Sequence, residues 1–165
     1  MPTRQNDQPP SLDEQPVDAI ALLKADHQLV HDLFTRYASA GDISTKQMIA
    51  EQVFTALEVH AQLEDNIFYP AYETMTGKNG TKLVADSRLA HEHIKELLIE
   101  LQDIDLDEET FEAKFQELMH TVEQHVAQEE DEMFPEAEQI LADQLADLRD
   151  DMLALKQQLM TAPRQ

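Results

Sequence analysis

His60-Ala61-Gln62-Leu63-Glu64-Asp65-Asn66-Ile67-Phe68-Tyr69-Pro70 aligns without a gap on His125-Val126-Ala127-Gln128-Glu129-Glu130-Asp131-Glu132-Met133-Phe134-Pro135. His60 meets His125, Glu64 meets Glu129, Asp65 meets Glu130, Tyr69 meets Phe134 and Pro70 meets Pro135. On an α-helix, residues four apart lie about 6 Å apart along the axis and about 40° apart around it. Each His-x-x-x-Glu therefore faces one point. The prolines should end or kink their helices one to two turns past the His–Glu pair.

The repeat extends upstream. His27 meets His91, Val30 meets Ile94, Leu33 meets Leu97 and Phe34 meets Leu98. His60 follows His27 by 33 residues, and His125 follows His91 by 34. The chain thus reads as two αα-hairpins, each contributing one His and then one His-x-x-x-Glu. Packed around a pseudo-two-fold axis, they would set two half-sites face to face, the arrangement of a dinuclear centre.

Residues 1–15 are polar and contain prolines, and are expected to form a disordered tail. Residues 16–160 are expected to form the bundle, and 161–165 a C-terminal tail. Helix A should run from near Pro16 to Ala38, with proline in its first turn, and break at Gly41-Asp42. Ser44 with Gln47 has the pattern of a capping box for helix B, which continues to about Met75. Gly77–Gly80 reads as a loop. Helix C should cover Thr81 to Leu101, the acidic segment Asp103–Glu109 connects, and helix D runs to about Phe134. A last amphipathic stretch, Ile140 to Met160, has Leu141, Leu145, Leu148, Met152, Leu155 and Leu159 in steps of four and three, the period of a helical seam. It is expected to pack on the bundle.

Polar residues interrupt the core stripes. Helix A carries Ile20, Leu23, Val30, Phe34 and Tyr37, with His27 in the gap. Helix B carries Val53, Leu57 and Ile67, with His60 and Glu64 between them. Helix C carries Val84, Ile94, Leu98 and Leu101, with His91 in the gap. Helix D carries Phe111, Phe115, Leu118 and Val122, continued by His125 and Glu129. Burying an unpaired carboxylate or imidazole costs several kcal/mol, roughly. Six such groups would rival the ~5–15 kcal/mol net stability of a domain. Any one of these histidines, taken alone, is most simply a satisfied core residue. The six together require compensation, and bundle-core sites of this composition suit a pair of iron or manganese ions. Ligands without sulfur also admit zinc.

The 165 residues suffice for one domain, and the abundance of Ala, Leu, Glu and Gln beside only 3 Gly favours helix. The net charge of −22, from 34 acidic and 12 basic residues, repels nucleic acid and anionic membranes. With no cysteine, disulfides, thiolate metal sites and thiol nucleophiles are excluded. No apolar run approaches the ~20 residues of a membrane span, and the N-terminal stretch lacks a secretory signal. A soluble cytoplasmic protein is expected, a monomer or weak homodimer.

The sequence resembles the hemerythrin-like family, in its HHE cation-binding branch. The matching pieces are Asp26-His27; His60-x-x-x-Glu64 with Phe68-Tyr69-Pro70; His91 with Ile94-Lys95-Glu96-Leu97-Leu98; and His125-x-x-x-Glu129-Glu130 with Phe134-Pro135. They span about Val17 to Lys156. The resemblance implies an all-α, up-down-up-down four-helix bundle, here with an additional C-terminal amphipathic helix, and a non-heme di-iron site. It implies that His27 and His60 bind one iron, that His91 and His125 bind the other, and that Glu64 and Glu129 bridge the two beside an oxo or hydroxo bridge. An open position would remain for dioxygen, peroxide or nitric oxide. The oxygen-carrying branch has His-x-x-x-His on its third helix, whereas Lys95 stands four residues after His91. That branch also has an Asp five residues after its fourth-helix His, where this chain has Glu129 at four. Redox or sensing chemistry therefore suits the chain at least as well as carriage.

Three readings compete. One is a module that binds a small oxygen or nitrogen ligand for sensing, storage or iron handling. The second is a redox enzyme that turns over peroxide or nitric oxide. The third is a structural bundle whose histidines and glutamates pair without metal, which the cost of six buried polar groups ranks below the others. His31 shares a face with His27 but is expected beside the seam, half exposed, and His93 and His120 are expected at the surface. Tyr37 and Tyr69 could approach a bound ligand, though ordinary packing is the simpler expectation. Glu130 and Asp131 should face solvent, and Glu132 the seam.

Overall fold

The computed structural model describes residues 15–161. Apart from Gln15 and Thr161, the two expected tails lie outside the described residues, and Thr161 closes the last helix. The elements are α1 (Ala19–Ser39), α2 (Ile43–Leu63), a π-helical turn (Glu64–Phe68), α3 (Tyr69–Met75), α4 (Lys78–Gln102), α5 (Glu109–Gln128), a second π-helical turn (Glu129–Met133), α6 (Phe134–Ile140) and α7 (Leu145–Thr161). Each π turn joins its flanking helices into one long rod. Four rods therefore form the up-down-up-down bundle, with α1 against α2 and α4 against α5, while α7 lies across α1 and α2.

Four of the starts differ from expectation: α4 begins at Lys78 and not Thr81, α7 begins at Leu145 because Ile140 closes α6, and α1 and α2 turn on their caps. Asp18 caps α1, its Oδ1 accepting from the Ala21 N–H at 2.8 Å, so Pro16 lies outside the helix. Asp42 caps α2, accepting from the Thr45 N–H at 2.7 Å. The carboxylate at Asp42 starts the helix two residues before the expected Ser44 box, because Asp is among the strongest cap residues and satisfies an end donor first. Gly80 is also not in a loop. It is buried in the first turns of α4, where a Cβ would lie 1.8 Å from the Thr76 hydroxyl oxygen. Its use is the close approach of the preceding turn, not backbone freedom.

Both prolines sit at the start of a continuing helix, just after a π turn, and neither ends its rod. In the first turn the Tyr69 N–H reaches back five residues to the Glu64 carbonyl, and Pro70 has no N–H to offer the next carbonyl. Arg88 donates to the Asp65 carbonyl at 3.4 Å. The extra residue in the turn rotates the faces downstream. Ile67, expected in the core, is only half-buried, and Phe68 is fully buried in its place. The second turn repeats the exchange: Glu132 is exposed and Met133 is buried.

The core has two parts. One gathers Val30, Phe34, Tyr37, Val53, Leu98, Phe115, Leu118 and their neighbours. The other gathers Leu23, Phe68, Tyr69, Tyr72, Val84, Phe134, Leu145 and Met152. The buried polar residues, His27, His60, Glu64, His91, His125 and Glu129 among them, are absent from both clusters. They form a polar layer within an otherwise apolar bundle. α7 buries Leu145 and Met152, with Leu148 and Leu155 half-buried, and Arg149 ties it to the start of α1 through the Val17 carbonyl at 3.2 Å. No helix among the described residues is long and apolar enough to cross a membrane.

Candidate metal centre

Four rods carry the donors. His27 comes from α1, His60 from the end of α2, His91 from α4 and His125 from the end of α5. Glu64 and Glu129 each open a π turn. All six are buried, the two glutamates completely. The Nε2 atoms of His27 and His60 lie 3.2 Å apart, and those of His91 and His125 lie 3.1 Å apart. Glu64 Oε1 is 3.1 Å from the Nε2 of His60, 3.1 Å from that of His91 and 3.7 Å from that of His125. Glu129 Oε1 lies 3.2 Å from His27 Nε2 and 3.4 Å from His125 Nε2. Each carboxylate therefore reaches histidines of both hairpins.

The outward nitrogens set the direction of the inward ones. His60 Nδ1 pairs with Asp26 Oδ2 at 3.0 Å, and Asp26 Oδ1 accepts from Lys156 Nζ at 2.9 Å. His91 Nδ1 pairs with Asp65 Oδ1 at 2.9 Å, and that oxygen also faces Arg88 at 3.6 Å. A carboxylate on Nδ1 assigns the proton there and leaves the Nε2 lone pair aimed into the centre. Lone pairs so close to one another and to carboxylate oxygens repel unless positive charge lies among them.

The electrostatics point the same way. Burial alone would lower the His60 pKa, but Glu64 and Asp26 outweigh it and hold the imidazole well above its ordinary value. His91 is pushed up to about 9, burial being overcome by Asp65 and Glu64. Burial would raise Glu64, yet the histidines around it hold its carboxyl well below the usual range. Glu129 goes up instead, driven by burial and by the neighbouring Glu64 charge. The centre thus gathers protons when nothing else supplies positive charge, and a metal cation can take their place.

The remaining valences fit a metal. Glu64 Oε2 is buried without a hydrogen-bond partner, and Glu129 Oε1 faces only the ring nitrogens of His27 and His125. Orphaned carboxylate oxygens are rare in folded proteins, and a bound ion accounts for them. Ligand-type atoms of His27, His60, Glu64 and Glu129 all lie within 4.8 Å of one another, as do those of Glu64, His91 and His125. A set of imidazoles and carboxylates suits iron, manganese or zinc.

Tyr69 belongs to this centre, contrary to the packing role expected for it. Its hydroxyl donates to Glu129 Oε2 at 2.6 Å, lies 3.2 Å from Glu64 Oε1 and stands 3.4 Å from His91 Nε2. In an unbroken α-helix the fifth residue after Glu64 would point about 140° away from it; the wider π turn sets Tyr69 close to one turn beyond Glu64, near its face. Burial and both carboxylates raise its pKa well above the ordinary value, which keeps the hydroxyl protonated. Tyr37 does pack elsewhere, its hydroxyl on Glu112 at 2.9 Å and its ring on Phe115. His31, His93 and His120 are exposed, with His31 beside Glu123 at 3.5 Å and His93 beside Glu117 at 3.4 Å. Glu132 faces solvent, not the seam, because the π turn gives its place to Met133. Glu130 is half-buried and leans towards His27 Nδ1 at 3.6 Å, instead of facing solvent. Sequence reasoning gave no role to Asp26, Asp65, Lys156 or Arg88. The only hint was that Asp26 and Asp65 each adjoin a donor in the chain.

The Hemerythrin HHE cation binding domain family model matches residues 18–137. The chain belongs to this family. An uncharacterized hemerythrin-like protein of Schizosaccharomyces pombe is 26% identical over 119 residues, 72% of this chain and 59% of that protein. A DNA nickase of Nostoc sp. is 27% identical over 122 residues, 74% of this chain and 34% of the nickase. The HHE domain thus aligns with less than two thirds of the length of either curated relative. The crystal structure of a hemerythrin HHE cation binding domain-containing protein from Mycobacterium kansasii shares the fold, with a TM-score of 0.75, 23% identity and 87% of each chain covered. The family match ends within α6, so α7 and its Lys156 lie beyond it.

Proposed function

We propose that this HHE domain holds two non-heme iron ions in its polar layer and binds a small oxygen or nitrogen ligand, for sensing, storage or iron handling. Dioxygen, nitric oxide and peroxide are the candidates. The observation that carries the reading is a cavity of about 30 Å³ against the four histidines, walled by Val30, Leu57, Ile94, Val122 and Val126. That space suits a ligand of a few atoms and no organic substrate. An iron pair supplies a site of attachment for such a ligand and electrons to share with it. The aliphatic wall keeps bulk water away, the Asp26–His60 and Asp65–His91 pairs hold the rings in place, and Tyr69 keeps a proton beside both carboxylates. Manganese and zinc fit the donors too and rank below iron.

Tyr69 favours a second reading, a redox enzyme that turns over peroxide or nitric oxide. A protonated phenol touching two carboxylates and His91 is placed to move a proton during turnover. The two readings separate on the iron-loaded protein. Two irons per chain and an absorption band that forms with oxygen and disappears under vacuum support the binding module. Rapid oxygen evolution from added peroxide, reduced at least about 10-fold by Tyr69→Phe, supports the enzyme. A purified protein with well under two metals per chain after anaerobic loading would defeat both. We place the protein in the cytoplasm, as a monomer or weak homodimer.

A further inference from the structure

In a chain with 34 acidic and 12 basic residues, a cation stands behind each carboxylate that backs a histidine of the centre. Lys156 Nζ donates to Asp26 Oδ1 at 2.9 Å, and the other oxygen of Asp26 holds His60 Nδ1 at 3.0 Å. On the other side Arg88 faces Asp65 Oδ1 at 3.6 Å, and Asp65 holds His91 Nδ1 at 2.9 Å. Both chains of contact run from cation to carboxylate to imidazole. The cations differ in origin. Arg88 lies three residues before His91 on α4, within the family match, whereas Lys156 comes from α7, beyond it. The helices of the family match therefore leave Asp26 Oδ1 to be satisfied from outside, and α7 brings the group that does so.

A lysine on an exposed carboxylate contributes little, but Asp26 is only 8% exposed, and water screens a buried charge far less. What happens at Lys156 is therefore felt at His60. The two neighbours of Asp26 act on the centre in opposite senses. Accepting the His60 Nδ1–H, the carboxylate pushes charge into the ring and makes Nε2 a stronger donor. The ammonium on the second oxygen draws part of that charge back and makes Nε2 a weaker one. A weaker donor favours the reduced, less highly charged state of a bound metal, and a positive charge nearby favours it too. The two effects of Lys156 thus have one sign.

We propose that Lys156 of α7 is a positioning residue for the centre, acting through Asp26 on His60 to raise the reduction potential of iron held there. The inference rests on the reading that the centre takes iron. Its side chain is 36% exposed, so Lys156 can be replaced without opening the core.

Spectroelectrochemical titration of the full chain, loaded anaerobically with iron and with iron counted per chain, tests this. Lys156→Met removes the charge and keeps most of the length. It should retain its iron and shift the balance towards the ferric state by about 10-fold, the low end of what partners behind a ligating histidine contribute. For a one-electron step that is a midpoint lower by about 59 mV. Lys156→Arg should stay near the wild-type midpoint. Asp26→Asn should raise the midpoint, and adding Lys156→Met to it should change little, because the path through the carboxylate is gone. An unchanged midpoint in Lys156→Met, or the same fall in the Asp26→Asn background, would overturn the inference. So would a higher midpoint or lost iron in Lys156→Met, since either would make Lys156 a mere prop for Asp26. These results leave the iron reading standing. Failure of the wild-type chain to take up iron overturns that reading and this inference with it.

Discussion

Loading the full chain with ferrous iron under anaerobic conditions is expected to raise its melting temperature by about 5–11 °C, and Glu64→Ala is expected to remove the rise. One ion at a free concentration of 100 times its dissociation constant stabilises the folded state by about 2.7 kcal/mol. In a domain of this size each kcal/mol moves the midpoint by about 2–4 °C, and a second ion adds to the shift. Glu64 is the decisive residue because its Oε1 lies 3.1 Å from both His60 and His91. Its removal takes a donor from both positions at once. Calorimetry of each protein with and without metal, read as the difference, cancels any change in the metal-free stability of the variant. A rise that survives Glu64→Ala would mean that the metal binds elsewhere, for example on the acidic surface.

The second large effect belongs to the apolar half of the bundle. Phe115 is fully buried and sits among Phe34, Tyr37, Phe54 and Phe111, with ring centroids 4.0–6.5 Å away. Phe115→Ala leaves a cavity that rods packed on four sides close only in part, so a loss of about 3–5 kcal/mol is expected, or roughly 6–20 °C in midpoint. The ring is ten residues from His125 along the same rod, about 15 Å, and contacts no donor. The variant should therefore melt early yet keep its response to iron. Parallel melting curves with and without metal check both halves of the statement. A loss below about 1 kcal/mol would mean that the cluster is loosely packed.

These two substitutions mark what could be read in advance. That these six side chains would meet in one buried layer was legible because a helix with period 3.6 exposes every gap in its apolar stripe, and His27, His60 and His91 each fill one. The repeat then grouped them into halves. Beyond Glu64 and Glu129 the same rule failed, since it presumes an unbroken α-helix. It chose Ile67 and Glu132 for the interior, where the π turns install Phe68 and Met133, and it left Tyr69 to ordinary packing. The partners of the histidines escaped for another reason. Asp26 on His60 and Asp65 on His91 are contacts between helices, fixed by how the rods rotate against one another. Lys156 arrives from a helix 130 residues further along the chain. No periodicity within one segment carries that information. The start of α2 at Asp42 turned on which of two good capping residues wins, a matter of a few tenths of a kcal/mol, roughly.

The paired π turns act as phase shifters between the two ends of the bundle. One additional residue sets the angular offset at which α3 and α6 emerge. Deleting one residue between Glu64 and Tyr69 would leave the tyrosine four residues after Glu64, a spacing that an unbroken α-helix already places on one face, so Tyr72 would keep its place in the second core cluster. Both hairpins carry the insertion at the same point, so their far ends stay in step and the lower cluster meets itself in register. At this point of the chain a one-residue deletion is therefore absorbed by the loss of the π turn, and the faces beyond it are kept.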